Sequence, residues 1–585
     1  MFFAEATTSA TSPAERSGGV AELYSDGLFR AGVGPARPAA MCSHNSFVAV
    51  GSVYPRAEVP KAGLDHLDGN LREMIQRLAT RGLDGLVDSP GEFAVAVWNS
   101  ASQELIAARD PLGVRPLFYA ISARGIMLSD DLDYFRATKI DPDFVCDFIA
   151  LRGISKEKSI WDGVAPVPPG TALRWHAGGV SFQRYWSTVQ FPRTDNITAG
   201  DAISDFTSLL EASLRARVSP RRATWAHLSG GLDSSAVVSF ASRMAAVGAG
   251  SALGGTVTFV DGLTDDQSGF VRDVSTMYGL RNEQVIEFWP WRSDSEPPPK
   301  TDQPYRDYPF YARDRLVGQI VRESGGDSIL SGIGPDYYFP TTPLHIADSL
   351  RTGHWAGTMR AMLAWSVARR AKLWSAAARD IIAPLGPHWL SARLHSVHTR
   401  LPRWIRPQFA ARHELRRRCA MSQVVVAEPG GLYDQAVRES LTRAASSVPT
   451  WCQTEGIDIR HPLLDRRLVE FCLTLPYRMR TDFEAPKPLL RLASKHILPD
   501  SVRARVTKAV AEPRMRWALG RERPLLSRLL SSAILADIGC IEPRALLDDI
   551  DECARGREGS FGVLYPTLSL ETWLAVKMAP VGRLL

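Results

Sequence analysis

Residues 224–238 read Thr224-Trp225-Ala226-His227-Leu228-Ser229-Gly230-Gly231-Leu232-Asp233-Ser234-Ser235-Ala236-Val237-Val238. The first residues predict a short buried strand, the paired glycines a tight turn, and the residues after them the opening of a helix. Backbone N–H groups of such a turn can converge on an anion. The helix adds unpaired N–H groups and the positive end of its dipole. Ser229, Ser234 and Ser235 supply hydroxyls, and Asp233 a carboxylate. A carboxylate beside an anion site implies a metal between them, so the stretch predicts a polyphosphate site with Mg²⁺. An ordinary strand–turn–helix connection of small residues is the other reading.

No lysine follows the glycines, so this is not the common P-loop. Ser-Gly-Gly-x-Asp-Ser resembles the pyrophosphate loop of the N-type ATP pyrophosphatases. That resemblance implies ATP cleaved between its α- and β-phosphates, with a substrate oxygen adenylated. The cofactors expected are ATP and Mg²⁺. Leu228, Ser229, Gly230, Gly231, Leu232, Asp233, Ser234 and Ser235 are expected at the nucleotide, with Leu228 and Val257 flanking the adenine.

At 585 residues the chain should hold two or more domains. A net charge of +6 is too mild for a dedicated nucleic-acid binder. No run of about 18 apolar residues predicts a membrane span, and no secretory signal is read near the start. The seven cysteines are scattered, without Cys-x-x-Cys spacing. That pattern fits a reducing cytoplasm and argues against a zinc site or a disulfide frame.

Residues 1–190 begin with what reads as a disposable tail rich in Ser, Thr and Ala. Alternating runs at 46–53, 91–98, 105–109, 117–121 and 125–129 predict strands, and 66–81 an amphipathic helix. Gly91 to Trp98 and Ala108-Arg109-Asp110-Pro111-Leu112-Gly113 resemble the class II glutamine amidotransferase domain of asparagine synthetases. In that family an N-terminal cysteine attacks glutamine with its own α-amine as base. Here the first residues are Met1-Phe2-Phe3, and Cys42 lies inside the segment with no activating neighbour. The domain therefore reads as a degenerate glutaminase. Removal of an upstream peptide to expose Cys42 is the alternative.

Residues 200–585 alternate strands and helices, which implies a parallel sheet with ligands beyond the strands' carboxyl ends. Asp327 to Phe339 again reads as strand, glycine turn and carboxylate, and resembles the family's Ser-Gly-x-Gly-x-Asp element. Gly332 joins the nucleotide set. Asp233 and Asp336 are the expected metal ligands. Asparagine synthetases carry glutamate between these glycines and β-lactam synthetases tyrosine; this chain has Ile333, which cannot move a proton.

Residues 341–450 interleave tryptophans (355, 365, 374, 389 and 404) with arginines. They read as a helical insertion, either packed apolar faces with solvated arginines or a groove for a peptide. Ile459 to Phe471 is expected to begin a helix. Pro486-Lys487-Pro488-Leu489-Leu490-Arg491 resembles the family's Lys-x-Leu-Leu-Arg helix start, and Lys508 stands where the family has its catalytic lysine. A fixed cation beside growing negative charge is what adenylate transfer requires, so Lys508 and Lys487 are the catalytic candidates. A solvated surface charge is the plain reading of either.

The fold expected is α/β: an amidotransferase-like α+β domain, then a parallel-sheet ATP-pyrophosphatase domain of the adenine nucleotide alpha hydrolase kind. The missing proton-transfer residue, degenerate glutaminase and aromatic–basic insertion together resemble the lasso peptide macrolactam synthetases. That resemblance implies adenylation of an Asp or Glu side chain of a precursor peptide and ring closure by its N-terminal amine. The partners it implies are the core peptide, a leader peptidase and a leader-binding protein. A small-molecule amide or β-lactam synthetase, and a non-catalytic scaffold that keeps the fold, are the alternatives.

Overall fold

The computed structural model describes residues 2–7, 21–25, 28–33, 40–44, 46–53, 64–87, 89, 91–150, 157–177, 179–188, 191–194, 196–260, 267–286, 288–351, 353, 358–359, 361–363, 365, 381–386, 400–421, 431–444, 456–507, 512–557 and 561–579. They form two compact units. The first comprises Met1–Val145, Ile154–Gln190 and Thr442–Gln453; the second comprises Cys146–Gly153, Phe191–Leu441 and Thr454–Leu585.

The first unit is two six-stranded sheets, all of whose pairings are antiparallel. Their inner faces share one core in which Phe29 stacks on Trp98, ring centres 5.2 Å apart. The Leu64–Arg81 helix packs on the Ala40–His44 and Phe47–Val53 strands. The tail expected at the start is corrected for residues 2–7, while 8–20 lie outside the described residues. Phe2–Thr7 is an inner strand between Gly125–Ser129 and Phe29–Val33, with Phe2, Phe3 and Ala4 buried.

The Arg109-Asp110-Pro111-Leu112-Gly113 signature acts here as scaffolding. Arg109 donates to the carbonyls of Arg115, Val167 and Gly113. The Asp110 carboxylate accepts from the backbone N–H groups of Leu112, Val114 and Arg115. Burial pushes this carboxyl up to about 6, against the pull of the N–H donors and Arg109. Between about pH 4 and 6 the unfolded chain has lost this proton while the folded one keeps it. Unfolding then releases a proton, and this group's stability contribution falls as pH rises. Asp110→Asn should destabilise the unit by about 1–3 kcal/mol. Melting curves at several pH values should show the wild-type advantage shrinking from pH 4.5 to pH 7.

The second unit holds a five-stranded parallel sheet, ordered Asn282–Val285, Leu253–Phe259, Ala223–His227, Gly326–Leu330, Asp458–Arg460. The chain builds outward from Ala223–His227 to one edge, then returns and builds outward on the other side. The order therefore reverses between Ala223–His227 and Gly326–Leu330, and a ligand crevice opens at such a reversal. The expected helix at 459–471 is corrected in part. Asp458–Arg460 is an edge strand, Pro462–Leu464 a single 3₁₀ turn, and the helix runs Arg466–Thr474. Proline at 462 removes a donor and suits a turn better than a helix interior.

Asp465 caps that helix by accepting from Arg467 N–H. It also pairs with buried Arg217 at 3.0 Å, and Ser213 Oγ donates to Pro462 O. Burial disfavours the Asp465 charge, but Arg217 and Arg467 outweigh it and hold the carboxyl below its usual range. These contacts pin the segment behind the crevice. Among the described residues, no helix is long and apolar enough to cross a membrane.

Candidate active site

Both glycine turns leave the sheet at the reversal. After Ala223–His227 the backbone turns through Gly230, whose φ of 65° is left-handed, into the Leu232–Ala246 helix. A Cβ on Gly230 would also stand 2.9 Å from Phe270 Cβ, so glycine is required twice over. Ser229 Oγ and Ser234 Oγ lie 2.9 Å apart, and Ser229 N–H donates to Ser234 Oγ. Ser229 is exposed, whereas Ser234 and Ser235 are buried in the helix's first turn. Leu228 N–H donates to Val257 O, and Thr258 Oγ1 to Leu228 O. Leu228 and Val257 thus sit side by side at the ends of adjacent strands, both buried.

The second turn packs directly on the first. A Cβ on Gly332 would lie 2.6 Å from Ser234 N and 2.7 Å from Ser234 Cα. Ser331 N–H donates to Arg460 O on the neighbouring strand, and Ser331 Oγ lies 2.6 Å from His461 Nδ1. This close fit carries the Pro335–Tyr338 helix, and with it Asp336, to the same place as Asp233.

Lys487 arrives there from a third segment. It caps the Pro488–Ala493 helix in a left-handed conformation, φ 62°. For a residue with a side chain that costs roughly 1–2 kcal/mol, and strain of this kind collects where function fixes the backbone. Lys487 Nζ makes a short ion pair with Asp233 Oδ2 and stands 2.8 Å from Asp336 Oδ1. Asp336 is 56% exposed against 18% for Asp233, so the cluster opens to solvent on the Asp336 side. Two carboxylates converging on one cation are also the oxygen donors Mg²⁺ takes, with phosphates and water completing its shell. The residues present therefore fit the metal.

His227, at the end of the central strand, is driven down to about 3 by burial, then by Arg313 and His461, so its ring is neutral near pH 7. Asp233, Asp336 and Lys487 are thus brought together beside Ser229, Gly230, Gly231, Leu232 and Gly332, whereas Lys508 lies outside the described residues. Of the five insertion tryptophans, Trp365 and Trp404 are buried in the core, and Trp404 Nε1 donates to Asp549. Trp355, Trp374 and Trp389 lie outside the described residues. Sequence reasoning missed Arg505, whose Nη1 donates to Gly230 O at 3.2 Å while its guanidinium covers Phe270 at 4.4 Å. An arginine three residues before the expected lysine was the available signal.

A family model for asparagine synthase matches residues 205–575. The chain belongs to the asparagine synthase family. A glutamine amidotransferase domain model matches residues 68–186 of this asparagine synthase family member. Its likeness to an amidase, chry2, from Gibberella zeae is 23% identity over 82% of this chain and 78% of that one. To asparagine synthetase [glutamine-hydrolyzing] 3 of Bacillus subtilis it is 29% identical over 26% of this chain and 25% of that one. The chain thus spans about a quarter of the latter's length. A Bacillus subtilis glutamine phosphoribosylpyrophosphate amidotransferase structure aligns at 12% identity, covering 53% of this chain and 68% of that one. Its TM-score of 0.17 is too low to carry an argument. Family membership places this asparagine synthase homologue in an ATP-dependent, amide-forming superfamily.

Proposed function

We propose that this protein adenylates a side-chain carboxylate of a precursor peptide and closes a macrolactam with the peptide's N-terminal amine, as a lasso peptide cyclase of the cytoplasm. The observation that carries the ligase chemistry is the meeting of Asp233, Asp336 and Lys487 at the sheet's reversal. The Gly230–Gly231 turn and the exposed Ser229 offer donors to the phosphates, while Lys487 and Lys508 offset charge growing on the α-phosphate. Mg²⁺, held by Asp233 and Asp336, would supply further charge neutralisation on the polyphosphate. The carboxylate oxygen attacks the α-phosphorus and pyrophosphate leaves. The amine nitrogen then attacks the acyl carbon, AMP leaves, and the amine's proton passes to solvent.

Ile333 supports peptide cyclisation over amidation of a small acid. It offers no proton-transfer group between the glycines, so positioning of a folded peptide must do more of the work. Phe2 and Phe3, buried in the amidotransferase-like unit, are apolar and suit the reading of that unit as a degenerate glutaminase. A leader peptidase and a leader-binding protein would deliver the core peptide. The Gibberella zeae relative, named an amidase and aligned over most of both chains, favours a second reading, a small-molecule amide synthetase. The test is incubation of purified protein with Mg²⁺, ATP and a lasso core peptide freed of its leader. Pyrophosphate release and a product one water lighter are expected. Pyrophosphate release with an amino acid-sized substrate alone would favour the second reading, and no substrate-dependent release would leave only a scaffold.

A further inference from the structure

We propose that Arg491 is a positioning residue that sets Lys487 and the segment leading to Lys508 against the nucleotide turn; this rests on the ATP site proposed above. Arg491 sits on the Pro488–Ala493 helix, one turn beyond Lys487, and is only 9% exposed. Its guanidinium spends its donors on three backbone carbonyls. Nε donates to Pro486 O at 2.7 Å, Nη2 to Arg505 O at 2.7 Å, and Nη1 to Arg503 O in a short contact. One planar, permanently charged group thus ties the residue just before Lys487 to the stretch just before Lys508. Arg505 extends the tie to Gly230 O.

The contacts close into a ring. Gly230 is held by Arg505, Arg505 by Arg491, and Arg491 shares a helix with Lys487, which returns through Asp233 to the turn that contains Gly230. A left-handed Lys487 needs such support, because its backbone conformation is unfavourable alone. Lysine at 491 could reach a carbonyl but not three at once, since it lacks the fork.

The experiment compares wild type, Arg491→Lys, Arg491→Met and Arg505→Lys in the full chain. Binding of Mg²⁺·ATP is measured by calorimetry, and melting temperature without ligand alongside. Arg491→Met should weaken Mg²⁺·ATP by about tenfold or more, the worth of a hydrogen bond to a charged group. Arg491→Lys should restore part of that affinity. Arg505→Lys, which leaves Arg491 in place, serves should the methionine variant fail to fold, and should also weaken binding. A lowered melting temperature with unchanged affinity in the folded variants would overturn the positioning role. Absence of Mg²⁺·ATP binding by the wild type would instead overturn the nucleotide site itself.

Discussion

Lys487→Met should lower substrate-dependent pyrophosphate formation by about 10²–10³-fold, the usual effect of losing one fixed donor beside developing charge. The ammonium touches both Asp233 and Asp336. Methionine keeps most of the buried volume, so the fold should survive. The two carboxylates would then lose the ammonium that lies against both, which raises their affinity for a divalent ion. Calorimetry of Mg²⁺ in the absence of ATP should therefore show tighter binding in the variant than in wild type, although turnover falls. Turnover within about threefold of wild type would remove Lys487 from the machinery.

Gly332→Ala should abolish nucleotide binding and lower the melting temperature. The added methyl would meet Ser234 N at 2.6 Å, Ser234 Cα at 2.7 Å and Asp233 C at 3.0 Å. All three are backbone atoms, so no rotamer change relieves the clash. The Leu232–Ala246 helix must move off the second turn, separating Asp233 from Asp336. Overpacking of this kind costs about 1–3 kcal/mol. Gly231→Ala is the matched control for stability, because among the described residues its Cβ would meet only Ser229 Oγ, at 3.3 Å. Thermal melts of both variants should separate them; equal melting temperatures would contradict the close packing of the two turns.

Much of this site is written locally. Each turn announces itself through adjacent or near-adjacent glycines, a hydroxyl and an aspartate within a few residues, which is why Ser229 to Ser235 and Gly332 to Asp336 were legible. What the sequence concealed has a physical reason in each case. Phe2–Thr7 is followed by small polar residues, and two phenylalanines do not make a period. Asp458–Arg460 is too short for alternation to show, and its identity as a strand depends on a partner some 130 residues earlier. The partners of Lys487 come from segments about 150 and 250 residues away. Arg491 acts on carbonyls, which every residue carries, so its acceptors leave no mark on the sequence.

Gly326–Leu330 and Asp458–Arg460 lie side by side, although well over a hundred residues separate them along the chain. Whatever joins them is, to the scaffold, a single excursion between neighbouring anchor points. Lengthening such an excursion is inexpensive, since doubling it adds only about 0.6 kcal/mol of closure entropy. The first residues of the excursion, Gly332 to Asp336, belong to the crevice itself, so an exchange between homologues that begins beyond Tyr338 leaves the carboxylate pair in place and asks whether the rest of the excursion selects the substrate.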